Sequence, residues 1–432
     1  MVLTMKKKLA CVSIATIVLL LMSFLLLSAC GRDATDDTIE LSFFHVFTGA
    51  RGELIRILAE EFSQQSNGRY LITPVFVEGS YEGLIERLLL LSLTNDLPEL
   101  IHSGHNYVQF LSDNLPVVPL QYFIDRDGHD VSDIFPRMLD LARDSTGQIV
   151  GIPWHVSTGI LAFNEDVFLA HGISKPPRTF DEMRDIAQIL TGDGIYGVYL
   201  EYQMTGLGVI QGLVEGFGGQ MLNDAGYMGL GDAGLLAFEL LNNLVNTDGT
   251  MPRVSMVDAQ QMFVAGRIGM YLTSTGNIRA MQNEAQFTVL TAPHPTTDGN
   301  LRSIPSGGAS TFILSSDLQR QEAAWEFVQF ISTPEVATRI AQTWGSLVTS
   351  QHAYNTPELM GDFLKDDPAA AATYLQAPYL SRFFNFPGVG GTRFFEIAQT
   401  NIDAMFQGQI SPEQALRDTE LRLNELITQG RN

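Results

Sequence analysis

The sequence predicts an α/β fold built from two lobes. Stretches rich in β-branched and aromatic residues alternate with amphipathic stretches of helical period, which is typical of a parallel or mixed sheet covered by helices on both faces. At 432 residues the chain is long enough for two such lobes, and it contains neither an internal repeat nor a low-complexity linker. Without a linker, we expect strands to cross between the lobes more than once.

The N-terminal segment has the layout of a secretory signal. Three lysines, Lys6 to Lys8, precede a mostly apolar run from Leu9 to Ala29, and small residues end the run just before Cys30. The four residues that end at Cys30 resemble the lipobox of bacterial lipoproteins, in which a lipid is attached to the cysteine sulfur. An uncleaved anchor is the alternative, because a run of this length could cross a bilayer of about 30 Å. We therefore predict a signal peptide over 1–29, lipidation of Cys30 and a polar tether over 30–37.

This prediction also accounts for both cysteines of the chain. Cleavage would remove Cys11 and lipidation would consume Cys30, so the folded part would carry no disulfide and no thiol nucleophile. The hydrophobic core must then supply the stability, which a chain of this size can do. We predict a protein that is exported and held at the outer side of the cell membrane by its lipid alone.

The charge of the chain limits its partners. The formal net charge is −22, from 26 basic and 48 acidic residues. A surface this negative repels phosphate backbones and anionic lipid headgroups, so nucleic-acid binding is excluded as a function class.

The first quarter of the folded chain alternates strand and helix clearly. Ile39 to Phe47 predicts a buried strand, and Leu54, Leu58 and Phe62 recur every four residues on the helix that follows. A β-rich run over Tyr70–Val77 then precedes a second amphipathic helix.

The remainder continues the pattern with shorter elements. From Thr356 onward the chain is expected to be mainly helical, with glycine- and proline-rich breaks around 386–392. The predicted strands are 149–153, 159–164, 270–273 and 310–314, and the predicted helices are 180–190, 235–245, 258–265 and 322–331.

One apparent nucleotide-binding motif lacks the required context. Gly229, Gly231 and Gly234 have the glycine spacing of a dinucleotide fingerprint and precede a helix, but the residues before them predict a loop where the motif needs a strand. We interpret Asp232 as a helix cap instead. No cofactor is predicted.

Metal and catalytic motifs are equally weak. His102 and His105 are close in sequence but lack a third ligand at a recognisable spacing, and zinc needs three or four. The acidic run over Asp125–Asp133 lacks the glycine and closing glutamate of a calcium-binding hand. Neither His-Glu-x-x-His nor Gly-x-Ser-x-Gly occurs. A pair of glycosidase carboxylates stays open, because their separation of roughly 5 to 10 Å is a three-dimensional property.

Eight fragments, in order, carry a resemblance that spans nearly the whole mature chain: LSFFHVFTG, EGSYEGL, LPELIHSG, GIPWHVSTGILAFNEDVF, PPRTFDEM, FVAGRIGMYLTSTG, IPSGGASTFIL and FISTPEVATRIAQ. The series resembles the bacterial extracellular solute-binding proteins of the sugar type, which include the maltose and glycerol-3-phosphate binding proteins of ABC importers.

The resemblance implies the type II periplasmic-binding-protein-like fold, in which two lobes joined by crossing segments close over a ligand in the cleft between them. Carried onto this chain, residues 38–154 with 306–343 would form lobe 1, and residues 155–305 with 344–432 would form lobe 2. The first crossing would fall near Trp154–Thr158.

The resemblance also implies candidate ligand contacts in the first crossing and before it. Tyr81 matches a ligand-contacting tyrosine of the glycerol-3-phosphate branch, although it could simply cap a helix. Ser157 and Thr158 match hydroxyl residues that face the cleft, and the alternative for them is a loop hydroxyl that bonds its own backbone.

Further candidates lie at the second crossing and after a predicted strand. Ser274 and Thr275 could offer hydroxyls and amides to a ligand, although a plain N-cap explains them almost as well. Gly307 and Gly308 would permit close backbone approach, because glycine has no side chain.

The chain departs from the glycerol-3-phosphate branch at three positions. Where that branch places a phosphate-binding arginine this chain has Pro387, with Arg393 six residues later. Ser346 stands in place of an expected tyrosine, and His105 in place of an expected acid. The loss of the arginine removes the natural bidentate partner of a phosphate, so we expect a neutral carbohydrate more than a phosphoester.

Aromatic faces suited to stacking on a sugar are supplied by Trp154, Trp344 and Tyr202, although tryptophan is more often a core residue. We predict a monomeric binding protein that takes a carbohydrate or polyol and delivers it to an ABC permease unaltered. The alternatives are an exported hydrolase acting on glycans and a purely structural surface protein.

Overall fold

The computed structural model describes residues 38–202, 207–384 and 391–431. The predicted signal peptide, the tether and Cys30 lie outside these residues. No helix of the described part is both long and apolar enough to cross a membrane.

The described residues form nine strands joined mainly by helices. The strands are β1 (Ile39–His45), β2 (Tyr70–Phe76), β3 (Leu100–Gly104), β4 (Ile152–Asn164), β5 (Tyr196–Leu200), β6 (Ile268–Ser274), β7 (Val289–Ala292), β8 (Ile304–Ile313) and β9 (Leu380–Ser381).

The helices cover the sheet and form most of the C-terminal third. They are α1 (Gly49–Gln65), α2 (Ser80–Ser92), α3 (Val108–Asn114), α4 (Leu120–Asp127), α5 (Pro136–Leu139), α6 (Glu165–Ala170), α7 (Phe180–Leu190), α8 (Leu207–Gly216), α9 (Gly231–Asn242), α10 (Met256–Val264), α11 (Thr275–Glu284), α12 (Leu318–Ile331), α13 (Pro334–Trp344), α14 (Gln351–Asn355), α15 (Asp362–Asp366), α16 (Pro368–Tyr374), α17 (Gly391–Phe406) and α18 (Pro412–Arg431). Single π-helical turns extend α9 over Asn243–Thr247 and precede α15 over Pro357–Gly361.

Two long strands, β4 and β8, connect the two halves of the sheet. The strand order is β2-β1-β3-β8-β4-β6-β5, with β7 beside β4 and β9 beside β8. The N-terminal half of β4, up to Thr158, pairs antiparallel with β8, and its C-terminal half pairs with β6 and β7. In turn β8 pairs antiparallel with β3. Both strands therefore belong to both halves of the molecule, and the predicted crossing at Trp154–Thr158 lies within β4.

Each half has its own hydrophobic core. The first half packs α1, α4, α12 and α13 on β1 and β3, around buried side chains such as Phe43, Leu58 and Phe327. The second packs α7, α9, α10 and α18 on β5 and β6, around side chains such as Tyr271 and Leu241. Burial of two separate apolar cores explains why the chain forms two lobes.

The predicted division of the chain into lobes stays a prediction, and core packing favours one change to it. Trp344, Leu347 and Tyr374 pack in the core of the first half, whereas 344–432 was assigned to the second lobe. Residues from Ala398 to Ile427 pack in the core of the second half. A boundary after about Leu380, where β9 pairs with β8, fits this packing better.

Three local predictions need correction. The two short strands expected over 149–153 and 159–164 are one strand, because residues between them pair with β8. Ser157 and Thr158 are consequently strand residues, not loop residues. Asp232 does not cap α9: the N-cap residue is Leu230, and Asp232 lies in the first turn, where its charge still favours the helix N-terminus.

Candidate functional site

Aromatic side chains from several elements meet beside the strands that cross between the lobes. Phe47 follows β1, His102 lies on β3, and Trp154 and His155 are neighbours on β4. Ring contacts connect all of them with the start of α2 and the end of α13. We call this group the cleft cluster; its members are Phe47, Tyr81, His102, Trp154, His155 and Trp344.

The rings of the cleft cluster are in direct contact. The centroids of Phe47 and Trp344 are 4.6 Å apart, and those of His155 and Trp344 are 4.8 Å apart. His102 meets the face of Trp154 edge-on at 4.8 Å. The geometry is that of ordinary aromatic packing. On its own it would indicate part of a core.

The polar atoms of the cluster distinguish it from an ordinary core. The side chains of Trp154 and Trp344 are 3% and 1% exposed, yet neither indole N–H has a hydrogen-bond partner in the described part of the chain. The same holds for both ring nitrogens of His102, for Nδ1 of His155 and for the hydroxyl of Tyr81. A buried polar group without a partner costs about 1 to 3 kcal/mol. A concentration of such atoms makes the cleft cluster a candidate site for a ligand.

Burial sets the ionisation state of the imidazoles. It lowers the pKa of His102 and of His155 well below the usual value, and neighbouring imidazoles lower it further. Burial also lowers the pKa of His45, beside the cluster, to about 4. These rings are therefore neutral at physiological pH. Each neutral ring offers one donor and one acceptor, which suits a hydroxyl group.

His105, predicted to contact ligand, has both ring nitrogens engaged by the protein. Nδ1 donates to the Gly307 carbonyl at 3.2 Å, so that Nε2 accepts from the Ser310 hydroxyl at 3.1 Å. Burial lowers the pKa of His105 to about 4. These bonds connect the end of β3 to β8, and they give His105 a structural role.

The predicted residues Ser157, Thr158, Gly307 and Gly308 lie on the paired strands β4 and β8, where Ser157 is opposite Gly307. A Cβ at Gly307 would lie 2.7 Å from the Ser157 hydroxyl oxygen. At Gly308 the φ angle is 105°, and a Cβ would lie 2.2 Å from the His155 carbonyl oxygen. Close approach of β4 therefore explains both glycines without a ligand.

The predicted residues Ser274 and Thr275 also have protein partners. Ser274 is the N-cap of α11, and its hydroxyl accepts from the Gly276 amide at 3.3 Å. The Thr275 hydroxyl accepts from the Thr158 amide at 3.2 Å. The N-cap interpretation of the sequence thus has a specific geometry in its favour.

Tyr202 lies away from the cleft cluster, in the core of the second lobe. Its ring meets Phe406 edge-on at 4.8 Å and lies 6.1 Å from Tyr199. Pro387 lies outside the described residues, and so does the side chain of Arg393. Ligand contact by Arg393 therefore stays a prediction.

A second polar group lies at the carboxyl ends of β5 and β6 in the second lobe. We call it the Glu201 cluster; it consists of Glu201, Tyr271, Thr273 and Asn277. The Glu201 carboxylate accepts from the Thr273 hydroxyl at 2.7 Å and from the Asn277 amide at 3.3 Å. Burial raises the pKa of Glu201 to about 7, although these hydrogen bonds oppose the rise. The polar atoms of Glu201, Thr273 and Asn277 are paired with each other, and the Tyr271 hydroxyl donates to the Met256 carbonyl at 3.3 Å.

A small cavity adjoins the cleft cluster at Ser346, between α11, α13 and α16. Its volume is about 30 Å³, and the buried Ser346 hydroxyl has no partner in the described structure. Small-molecule sites occupy about 300 to 1,000 Å³. This cavity is therefore too small to hold a sugar-sized ligand.

The described residues contain no group of three or more His, Cys, Asp or Glu side chains placed to hold a metal ion. The proximity of His102 to His155, with ring centroids 5.3 Å apart, is a contact between neutral aromatic rings. These two histidines have no carboxylate or thiolate companion in that group.

Three residues of the candidate site were not predicted from the sequence. Phe47 was expected only as the end of a strand, and His155 and Arg51 were not singled out. The available signal was their position, since Phe47 follows the first strand and Arg51 lies in the first turn of the helix after it, and connections at strand ends commonly carry binding residues.

A family comparison decides how the chain should be classified. A sequence model described as bacterial extracellular solute-binding protein matches residues 49–338, about two thirds of the chain. The chain belongs to this family. Its curated relatives include proteins named sn-glycerol-3-phosphate-binding periplasmic protein UgpB. The one from Brucella abortus is 25% identical over 418 residues, which cover 90% of this chain and 93% of that protein.

Solved structures share the fold of this solute-binding protein. UgpB from Mycobacterium tuberculosis, in complex with glycerophosphocholine, has a TM-score of 0.80 at 17% identity and covers 91% of this chain and 99% of its own. The cyclic alpha-maltosyl-1,6-maltose binding protein of Arthrobacter globiformis has a TM-score of 0.79 at 17% identity, with 91% and 100% covered. The predicted type II two-lobe fold is confirmed.

Proposed function

We propose that this protein is the extracytoplasmic substrate-binding component of an ABC importer, and that it captures a carbohydrate or polyol by lobe closure. The observation that carries the proposal is the set of buried, unpartnered polar atoms on the aromatic rings of the cleft cluster. Neither a stable core nor a protein interface accounts for indole and imidazole groups that are buried from solvent and have no hydrogen-bond partner in the described residues.

The chemistry of these atoms suits a polyhydroxylated ligand. Indole N–H groups donate hydrogen bonds, and neutral imidazoles both donate and accept them. A ligand hydroxyl can pair with a donor or with an acceptor. The faces of Phe47, Trp154 and Trp344 offer apolar surface for the C–H side of a sugar ring. A purely apolar ligand would leave the polar atoms unpaired, so hydroxyls are required.

Capture requires movement of the lobes about β4 and β8. Ligand entry separates the cleft cluster from α11, and the two crossing strands are the continuous connections that can bend during that motion. A ligand that pairs the cluster's polar atoms stabilises the closed state selectively, and a permease can then distinguish loaded from empty protein. The ligand leaves unaltered, since the family is one of binding proteins.

A second candidate ligand class within this function is glycerol-3-phosphate or a glycerophosphodiester. It is supported by the names of the curated relatives and by the glycerophosphocholine in the Mycobacterium tuberculosis structure. Against it stands Pro387 at the position of the family's phosphate-binding arginine.

The location of the protein follows from the same proposal. Export by the predicted signal peptide and lipidation of Cys30 would hold the protein beside its permease as a monomer, with the acyl chains as its membrane contact. Mass spectrometry of the membrane fraction tests this: a Cys30→Ser variant should lose the acylated N-terminal peptide and appear in the soluble fraction.

A thermal-shift screen with mono- and oligosaccharides, polyols and glycerophosphodiesters tests the ligand class. At 100 times its Kd, a ligand should stabilise the protein by about 2.7 kcal/mol. NMR of the recovered ligand should show it unchanged, and a cleaved glycan would instead establish the hydrolase. If no compound of the panel raises the melting temperature, the proposal is contradicted.

A further inference from the structure

Arg51 connects the cleft cluster to the second lobe. It lies in the first turn of α1, half-buried, and its Nη2 donates to the Gly276 carbonyl at 2.8 Å and to the Trp344 carbonyl at 3.2 Å. Its guanidinium carbon is 5.8 Å from the ring centroids of both Phe47 and Trp344. The group therefore lies where a bound ligand would meet both lobes.

The charge of Arg51 has no acidic partner. In the described residues, no carboxylate oxygen lies within the 4.0 Å of an ion pair. Arg279, which lines the adjoining cavity, differs because it pairs with Asp367 at 3.1 Å. Burial lowers the pKa of Arg51, which confirms that its surroundings disfavour the charge. The chain has 48 acidic and only 26 basic residues, and yet none of the described acids pairs with Arg51. We therefore expect its anionic partner to come from a ligand.

Most of the donors of Arg51 remain for a ligand. A guanidinium has five N–H groups, and the two carbonyls engage those on Nη2, which leaves three on Nε and Nη1. The nearby Tyr81 hydroxyl, the Trp344 indole and Nδ1 of His155 are unpartnered as well. Glu82, an acid near Tyr81, accepts a hydrogen bond from the Tyr107 hydroxyl at 2.7 Å. The guanidinium and the indole among these groups can only donate, so they require acceptors from a ligand.

We propose that Arg51 binds an anionic oxygen group of the ligand, a carboxylate or a phosphate, on a polyhydroxylated skeleton. This rests on the proposed carbohydrate-binding function and reverses the preference for a neutral sugar that the sequence favoured. A carboxylate or phosphate supplies only acceptors, matches the fork of a guanidinium and neutralises its charge. The glycerol-3-phosphate branch has a phosphate-binding arginine where this chain has Pro387. Arg51, at a distant position in the sequence, would take the role of that arginine.

Calorimetric titrations with matched pairs of ligands test the proposal. Each pair shares a skeleton and differs in one acidic group: glucose and glucuronate, galactose and galacturonate, glycerol and glycerol 3-phosphate. An acidic member should bind at least about tenfold more tightly than its neutral partner. Preference for a uronate assigns a carboxylate, and preference for glycerol 3-phosphate assigns a phosphate.

Two variants separate charge recognition from closure and from folding. Arg51→Gln should weaken the acidic ligand by about 10- to 100-fold and a neutral analogue by less than about threefold. Arg56→Gln is the matched control, because it removes the same charge from the exposed face of the same helix, where Arg56 pairs with Glu53 at 2.6 Å. It should leave every affinity unchanged, and both variants should keep the wild-type melting temperature within a few degrees.

Failure of this inference differs from failure of the proposed function. Neutral sugars that bind as tightly as their acids, or an Arg51→Gln variant that weakens both equally, would leave a sugar-binding protein whose arginine only closes the cleft. If no carbohydrate, polyol or phosphoester of the panel binds, the proposed function is wrong and the inference with it.

Discussion

The cleft cluster and the Glu201 cluster are both buried, both polar and both placed at strand ends, but they differ in how their polar atoms are paired. In the Glu201 cluster a carboxylate, a hydroxyl and an amide satisfy one another within 3.3 Å. In the cleft cluster, two indoles and an imidazole have no partner in the described structure. Paired groups stabilise a fold, whereas unpaired ones cost free energy unless a ligand completes them.

The comparison indicates which buried groups are candidates for ligand contact. Hydroxyl-rich segments such as Ser274–Thr275 look suited to binding in the sequence, and yet their groups are engaged in capping and in connecting strands. Tryptophan and histidine look suited to a core, and yet their unpaired atoms are the better candidates for ligand contact. Four experiments test this distinction.

Acidification should produce the largest effect, because the histidines of the first lobe are buried in the neutral form. The unfolded chain binds protons near pH 6.5, whereas the folded pKa of His45 and of His105 is about 4. Between these values the unfolded state holds more protons, so stability falls as pH falls, by about 1.4 kcal/mol per pH unit for each such histidine. Urea unfolding at pH 7.5, 6.5, 5.5 and 4.5 measures the slope.

Two histidine variants locate the source of that slope. His102→Phe removes a proton site that has no hydrogen bond to lose, so it should reduce the slope without lowering stability at pH 7.5. His294→Phe, in the second lobe, should reduce the slope too, but it should also cost stability at pH 7.5, because Nδ1 of His294 donates to the Pro295 carbonyl at 2.7 Å. Equal losses at pH 7.5 would contradict the assignment of His102 as unpaired.

Trp344 and Trp325 form a matched pair of buried indoles. The Trp325 N–H donates to Asp127 at 2.9 Å, whereas the Trp344 N–H has no partner in the described residues. Each Trp→Phe change removes similar ring volume, so Trp325→Phe should cost about 1 to 2 kcal/mol more in the free energy of unfolding. For ligand affinity the order should reverse, with about a tenfold loss for Trp344→Phe alone. Chemical denaturation and calorimetry measure the two effects, and equal destabilisation would abolish the contrast.

Glu201→Gln should change stability in a pH-dependent way. Because burial raises the folded pKa of Glu201 to about 7, the folded state keeps a proton that the unfolded state loses near pH 4.5, and stability falls as pH rises between these values. The variant should therefore gain about 1 to 2 kcal/mol over wild type at pH 8 and little at pH 5. Urea unfolding at both values measures the gain.

Glu99→Gln is the control of opposite sign. Although burial opposes its ionisation, hydrogen bonds from Ser42 and Arg320 lower the pKa of Glu99 overall. Its substitution should lose stability at pH 8, because the ionised form is the one that the fold stabilises. A gain at pH 8 for both variants would show that burial alone governs the two carboxyls.

The smallest effect is expected from Ser274→Ala. Loss of the N-cap bond to the Gly276 amide should cost about 1 kcal/mol of stability and should leave ligand affinity unchanged. Ser255→Ala, which removes the N-cap of α10 at 3.1 Å from the Asp258 amide, should cost a similar amount. If Ser274→Ala loses ligand affinity and Ser255→Ala does not, Ser274 contacts the ligand.

The fold was largely predictable from the sequence, because strand and helix patterns depend on neighbours within a few residues. The strand from Ile39, the helix carrying Leu54 and Leu58, and the crossing near Trp154 all follow from local periodicity together with the ordered fragments. The site was predictable only in part. Tyr81, Trp154 and Trp344 belong to the cleft cluster, whereas His105, Tyr202 and Ser274 have structural partners.

The alternation of strands and helices, the negative charge, the absence of a free thiol from the predicted mature chain and the family all follow from the amino-acid sequence alone. Each of these depends on composition or on residues close in the chain. The polar atoms that lack hydrogen-bond partners can be identified only in the folded structure, because a hydrogen bond can join groups more than two hundred residues apart in sequence, as it does for Arg51 and Gly276. Pairing is a property of three-dimensional proximity, and it separates the residues that stabilise this fold from those that are candidates for ligand contact.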